Sequence, residues 1–146
     1  MDLTAFANDT LAGFNQTLGL RFTQVELDRV LATVPIGPHL LQPYGIVHGG
    51  VYASIAETIC SVGAAVSVLP TGRNVVGLDN QTSFLRACRE GTLHATATPV
   101  HRGRRTHLWQ AEVCDDEGRV VATSRVRLMV LDGGASLAGK TVGIER

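Results

Sequence analysis

Glu57 is the only Asp, Glu, Lys or Arg between Arg29 and Arg73. It lies in an apolar segment, about His48 to Leu69, that reads as one long helix. An ionised carboxylate is costly to bury in such surroundings unless hydrogen bonds or a chemical task compensate it. Isolation alone does not choose between a base or nucleophile and an inert carboxylate that faces solvent or bonds a backbone amide. Ser61 follows one turn later on the same side. Its hydroxyl could hold Glu57 or a water, although a small packing residue is the plainer reading. At the head of the segment, His48-Gly49-Gly50 opens the helix. The N–H groups of a first helical turn lack intrahelical partners and sit where the dipole is positive. Glycine lets a ligand approach them closely. Such an end suits a carbonyl oxygen that gains charge during acyl transfer, but a glycine-assisted helix start is also common.

Spacing constrains how these elements combine. Gly49 and Glu57 are eight residues apart, about 12 Å along a helix that rises about 1.5 Å per residue. They cannot both touch one reacting carbon within a single chain. If both act, Gly49 comes from one chain and Glu57 from a partner, and a two-fold dimer then holds two equivalent sites.

The elements that must position these groups can be read from the hydrophobic periodicity. Leu3, Ala7, Leu11, Phe14 and Leu18 predict an N-terminal helix that Gly19 ends. Short alternating segments near Leu20–Leu27 and Asp28–Val34 predict a strand pair. Pro35, Gly37, Pro38 and Pro43 then predict a long irregular loop. After the central helix, Val76–Leu85, Thr92–His101, His107–Cys114 and Arg119–Leu131 alternate as strands, with Trp109, Ala111 and Val113 on one face. Asp115-Asp116-Glu117-Gly118 and Arg89-Glu90-Gly91 read as hairpin turns. The pattern predicts an α+β domain at 1–132, an antiparallel sheet wrapped around one long helix, followed by a loose tail at 133–146. On the helix, His48, Val51, Tyr52, Ile55, Ile59, Val62 and Val66 form the bulky face expected to meet the sheet. Gly50, Ala53, Ser54, Glu57, Cys60, Ser61, Ala64 and Val68 form the small-residue face expected to meet a partner or ligand.

Composition excludes several classes. The chain has 146 residues and 45% hydrophobic content, enough for a core without metals or disulfides. Its formal net charge is zero, so no basic surplus draws it to nucleic acid or an anionic membrane. Val47 to Leu69 is nearly long enough to span a bilayer, but Glu57 and the interspersed Ser, Thr and Gly favour a buried helix. No signal peptide is expected at the N-terminus. Cys60, Cys88 and Cys114 are read as reduced thiols of a cytoplasmic protein. The five histidines show no zinc-like spacing.

Gly45-Ile46-Val47-His48-Gly49-Gly50 with Glu57 resembles the helix-opening motif of the hotdog-fold thioesterases. Gln42 before it and Ser61 after it fit as well, and so do Gly91 to His101, Gly103-Arg104-Arg105-Thr106 and Asp116 to Arg125. The branch it is most similar to includes the phenylacetate-pathway, glutamate-type 4-hydroxybenzoyl-CoA and 1,4-dihydroxy-2-naphthoyl-CoA thioesterases. The likeness covers about Leu20 to Leu131. It implies hydrolysis of an acyl-coenzyme A thioester with no cofactor beyond the coenzyme A of the substrate. It further implies Glu57 as nucleophile or general base, the Gly49 amide and Gln42 on the thioester carbonyl, Ser61 positioning Glu57 or water, and His48 bracing the loop. Arg102, Arg104 and Arg105 would meet the nucleotide phosphates, and Asn80 and Ser83 would line the pantetheine channel. A pocket between the helix and the partner's Leu40, Leu41 and Tyr44 would take the acyl group. The same resemblance implies a homodimer, and a tetramer as a dimer of dimers. Two other functions remain compatible with such a fold: a hydratase acting on enoyl or hydroxyacyl thioesters, and a non-catalytic acyl-CoA sensor.

Overall fold

The structure, a computed structural model, describes residues 1–144. The segments that alternate in sequence form six antiparallel strands: β1 Arg21–Glu26, β2 Arg29–Pro35, β3 Asn74–Phe84, β4 Thr92–Arg102, β5 Thr106–Cys114 and β6 Val120–Leu131. They make one sheet in the order β1-β2-β4-β5-β6-β3. The long helix, Gly49–Val68, packs against all six strands. It is labelled α3, because α1 (Leu3–Asp9) and α2 (Phe14–Leu18) precede it. This is the expected architecture, a sheet wrapped around one central helix.

The period-two alternation explains the core. Trp109, Ala111 and Val113 of β5 face the helix and are buried, as are Ala95 and Ala97 of β4 and Val126 and Leu128 of β6. The intervening residues Thr96, Thr98, Gln110, Glu112, Thr123 and Arg125 line the outer face of the sheet. At the centre, the fully buried Trp109 ring lies against Gly63 of α3, so closely that a β-carbon on Gly63 would come within 2.5 Å of the ring. Glycine weakens a helix interior, and here it lets the largest core side chain fit beneath the helix.

Several expectations need correction. The N-terminal helix is two short helices, not one. The Thr10 hydroxyl donates back to the Phe6 carbonyl at 2.9 Å, and Gly13 adopts a positive φ of 56°. The Phe14 side chain is consequently 65% exposed instead of joining the apolar stripe. Arg89-Glu90-Gly91 is not a hairpin turn, because β3 pairs with β6 and β4 pairs with β2 and β5. Residues 85–91 cross from the sheet edge to its middle, passing the irregular loop, where the Val47 N–H donates to the Cys88 carbonyl at 2.8 Å. Alternation reveals a strand but not its neighbour. The uncovered face of α3 is also narrower than expected. Cys60, Ala64 and Val68 are buried, because the curved sheet reaches further around the helix than a flat layer would. Within the irregular loop, Pro38–Leu40 makes one 3-10 turn and Leu40 is buried. In the expected tail, Ser136–Leu137 pairs with Lys140–Thr141 as a short hairpin. Residues 145 and 146 of that segment lie outside the described residues.

The Gly63–Trp109 contact generates a stability prediction. Gly63→Val overpacks the centre of the core and should lower unfolding stability by about 1–3 kcal/mol. A shifted urea midpoint at unchanged slope would show this, whereas a variant as stable as the parent would contradict the close approach.

Candidate active site

Glu57 sits in the strip of α3 that the sheet leaves uncovered, and β3 holds it from one side. Asn80 of β3 donates from Nδ2 to Glu57 Oε2 at 3.0 Å, and from the same nitrogen to the Ala53 carbonyl at 2.9 Å. Oε1 lies against Gly77, where any β-carbon would collide with it. Phe14, Ala53, Ser54, Glu57, Thr58 and Asn80 line an open hollow of about 300 Å³ there. Thr58 fixes the α2 side of this hollow by donating to Asn15 Oδ1 at 2.7 Å. Cys60, the nearest alternative nucleophile, is fully buried. Burial, and then the Glu57 charge, pushes its thiol up to about 12. It therefore stays protonated and unreactive at neutral pH, whereas Glu57 borders the open hollow.

A second hollow, also about 300 Å³, lies at the N-terminus of α3. Gln42, Val47, Gly49, Tyr52, Phe84 and Arg86 are among its lining residues. His48 caps the helix: its Nδ1 accepts from the Gly50 N–H at 2.8 Å, and its own N–H donates to the Leu40 carbonyl at 2.9 Å. Among the described residues none accepts from the Gly49 N–H, which leaves that donor directed out of the helix end. The Phe84 ring rests on Gly49 so closely that a β-carbon there would meet it. Gln42 turns its side-chain carbonyl onto the Tyr44 N–H, closing the loop that Arg89 straps through the Tyr44 and Gly45 carbonyls at 2.9 and 3.2 Å. Burial, and then the nearby Cys88, pushes the Tyr52 phenol up to about 12, so this wall stays uncharged.

The fold thus brings Gln42, His48 and Gly49 together at one end of α3 and sets Glu57 with Asn80 in a separate hollow further along it. Ser61 is half-buried one turn beyond Glu57, but the carboxylate's partner is Asn80 and not Ser61. Ser83 points to the outer face of the sheet, away from Asn80. Arg102 is occupied at the β1–β2 turn, with Nη2 on Asp28 at 2.6 Å and Nη1 on the Leu27 carbonyl at 2.9 Å. Arg104 and Arg105 are exposed. Their turn is tied to the start of β3, since Arg73 donates to the Arg104 carbonyl at 2.8 Å. Leu40 is committed to the core, while Tyr44 is 82% exposed.

Sequence reasoning did not single out Gly77, Phe84, Arg86 or Phe14 for the site. Phe84 and Arg86 end an alternating strand, and only the tertiary return of β3 alongside α3 places them at the helix N-terminus. Gly77 carried a usable signal: a glycine inside a strand marks a close approach.

Comparison with known proteins is consistent across three lines. Residues 44–122 match the family model described as the thioesterase superfamily. The 1,4-dihydroxy-2-naphthoyl-CoA hydrolase of Escherichia coli is 34% identical over 129 residues, covering 88% of this chain and 92% of the relative. The solved structure of a thioesterase from Haemophilus influenzae superposes with a TM-score of 0.83 at 32% identity, over 90% of this chain and 92% of that one. A Mycobacterium tuberculosis protein named as an esterase superposes with a TM-score of 0.80 at 44% identity, over 82% and 96% of the two chains.

The Gly77 contact can be tested through the carboxylate it accommodates. Gly77→Val should displace Glu57 from the Asn80 amide and slow thioester hydrolysis by about 100-fold, the order expected for a misplaced reacting group. Parent-like turnover in a folded Gly77→Val protein would show that the position of Glu57 does not matter.

Proposed function

The chain belongs to the thioesterase superfamily and has its hotdog fold, and from that premise we propose that it hydrolyses an acyl-coenzyme A thioester at a site shared between two copies. Glu57 of one copy acts on the thioester carbonyl carbon, and the Gly49 N–H of the other polarises the carbonyl oxygen. As a nucleophile, the carboxylate forms a mixed anhydride and expels the thiolate, and water then cleaves the anhydride. As a general base, it takes a proton from the attacking water, and that proton leaves with the thiolate. Either route gives free acid and coenzyme A from thioester and water alone. The reading places the enzyme in the cytoplasm, in keeping with its three free cysteines.

One observation supports this reading above the rest. The Gly49 donor and the Glu57 carboxylate lie in separate hollows of one chain, about 12 Å apart along the helix. The only free strand edge near them belongs to β3, which pairs with β6 alone among the described residues. An exposed strand edge is a template for a second chain. Phe84 of β3 touches Gly49, and Gly77 and Asn80 touch Glu57, so β3 runs antiparallel to α3 and borders both hollows. If two copies of β3 pair antiparallel about Gln81, toward its C-terminal end, the Phe84 end of one faces the Leu78–Asn80 stretch of the other. Each Gly49 donor then approaches the partner's Glu57. The same pairing carries the Arg104–Arg105 turn, beside the start of β3, toward the partner's Gly49 end. Two exposed guanidinium groups there suit coenzyme A phosphates.

The test is a set of acyl-CoAs with aromatic, short and medium aliphatic acyl groups, followed by release of free thiol, with Glu57→Gln assayed beside the parent. At least one thioester should be hydrolysed, and Glu57→Gln should lose about 100-fold or more of kcat while keeping its fold. A parent that binds acyl-CoA but releases no thiol, or a Glu57→Gln protein as fast as the parent, would overturn the assignment.

A further inference from the structure

A chain of hydrogen bonds runs from the sheet interior to Glu57. Ser124 Oγ and Thr82 Oγ1 are 2.8 Å apart, a cross-strand pair in register on β6 and β3. Thr82 Oγ1 donates to Asn80 Oδ1 at 2.7 Å, and Asn80 Nδ2 donates to Glu57 Oε2 and to the Ala53 carbonyl. Counting protons fixes every direction in this chain. A hydroxyl has one proton and an amide carbonyl has none to give. Thr82 therefore spends its proton on Asn80 Oδ1, and Ser124 must donate to Thr82. The two Asn80 amide protons go to the two acceptors on α3. Turning the amide over would set its oxygen against a carboxylate and a backbone carbonyl, both acceptors. Ser124 is buried, while Thr82 and Asn80 are half-buried, so the anchored end of the chain is the one sheltered from water.

We propose that Thr82, with Ser124 behind it, is a positioning residue for hydrolysis: it locks the Asn80 amide so that its N–H, and never its oxygen, meets Glu57. This rests on Glu57 being the reacting carboxylate. The Asn80 amide straddles one helical turn, from Ala53 to Glu57, and holds Oε2. Gly77 leaves space for Oε1 alone on the other side. The carboxylate plane is thus set from β3, and the hydroxyl of Thr82 anchors the one end of the amide that α3 does not. A role of this kind acts on the reacting group and not on substrate affinity, so it should appear in kcat and leave KM unmoved.

The test compares Thr82→Val, which keeps the shape and strand preference of threonine but removes the hydroxyl, with Thr82→Ser, which keeps the hydroxyl. Both are assayed on a hydrolysed acyl-CoA with Glu57→Gln alongside. Thr82→Val should lose about ten-fold in kcat, the order of one hydrogen bond, with KM within about two-fold. Thr82→Ser should keep most of the parent kcat. Parent-like kcat in Thr82→Val, equal losses in both variants, or a change confined to KM would each overturn the positioning role. An active Glu57→Gln protein would instead remove the reading beneath it, and the two failures are thereby told apart.

Discussion

One sheet cannot cover a helix on all sides, and the rest of the molecule follows from how that limit is met here. Six strands curve around α3 far enough to bury Ile55, Ile59, Cys60, Gly63 and Ala64, and they stop short of a strip that contains Ala53, Ser54, Glu57 and Thr58. The strip is where a carboxylate can exist without the full cost of burial. Its border is β3, the outermost strand, which supplies the Asn80 amide that holds Glu57 and the free edge on which a second copy can pair. The carboxylate, its holder and the free strand edge therefore belong to one stretch of the fold.

The helix N-terminus is the other half of the account. His48 satisfies the Gly50 N–H with its own ring nitrogen, and the irregular loop is strapped by Arg89 and by the Leu41–Val47 bridge. These contacts hold the Gly49 N–H in place without consuming it, which is the condition for an electrostatic role that needs little reorganisation. Cys60, though a helical turn from Glu57, is kept out of the chemistry by burial that holds its thiol protonated.

Much of this was legible in the sequence because it depends on local rules. The long helix, its glycine-opened start and all six strand spans follow from periodicity and punctuation to within a few residues. The singular position of Glu57 needs only a count of charges. The parts that were not legible depend on tertiary return. Nothing in residues 85–91 distinguishes a hairpin from a crossover, since that depends on which strands the edges of β3 and β4 find. Asn80 looked like a channel residue because its spacing from Glu57 exists only in three dimensions, and Ser83 was grouped with it although the pleat sends the two to opposite faces. The two-helix N-terminus was missed because the apolar spacing continued through Thr10 and Gly13, where a hydroxyl and a positive φ end the first helix.

The central claim is that a functional site takes its donor and its carboxylate from different chains. Hybrid dimers test it most directly, built from one Glu57→Gln chain and one Gly49→Pro chain carrying different tags and purified through both. Proline at the first helical position removes the N–H with little cost to the helix, and His48 already has the extended backbone, φ −63° and ψ 132°, that a following proline requires. The β-carbon of that proline displaces only the exposed Phe84 ring, which can turn toward solvent. Each homodimer should be nearly inactive. The hybrid holds one site that joins an intact Gly49 to an intact Glu57, so it should recover about half the parent turnover per dimer, one of two equivalent sites. A hybrid no more active than the two homodimers would mean that donor and carboxylate act within one chain, and the account would be wrong.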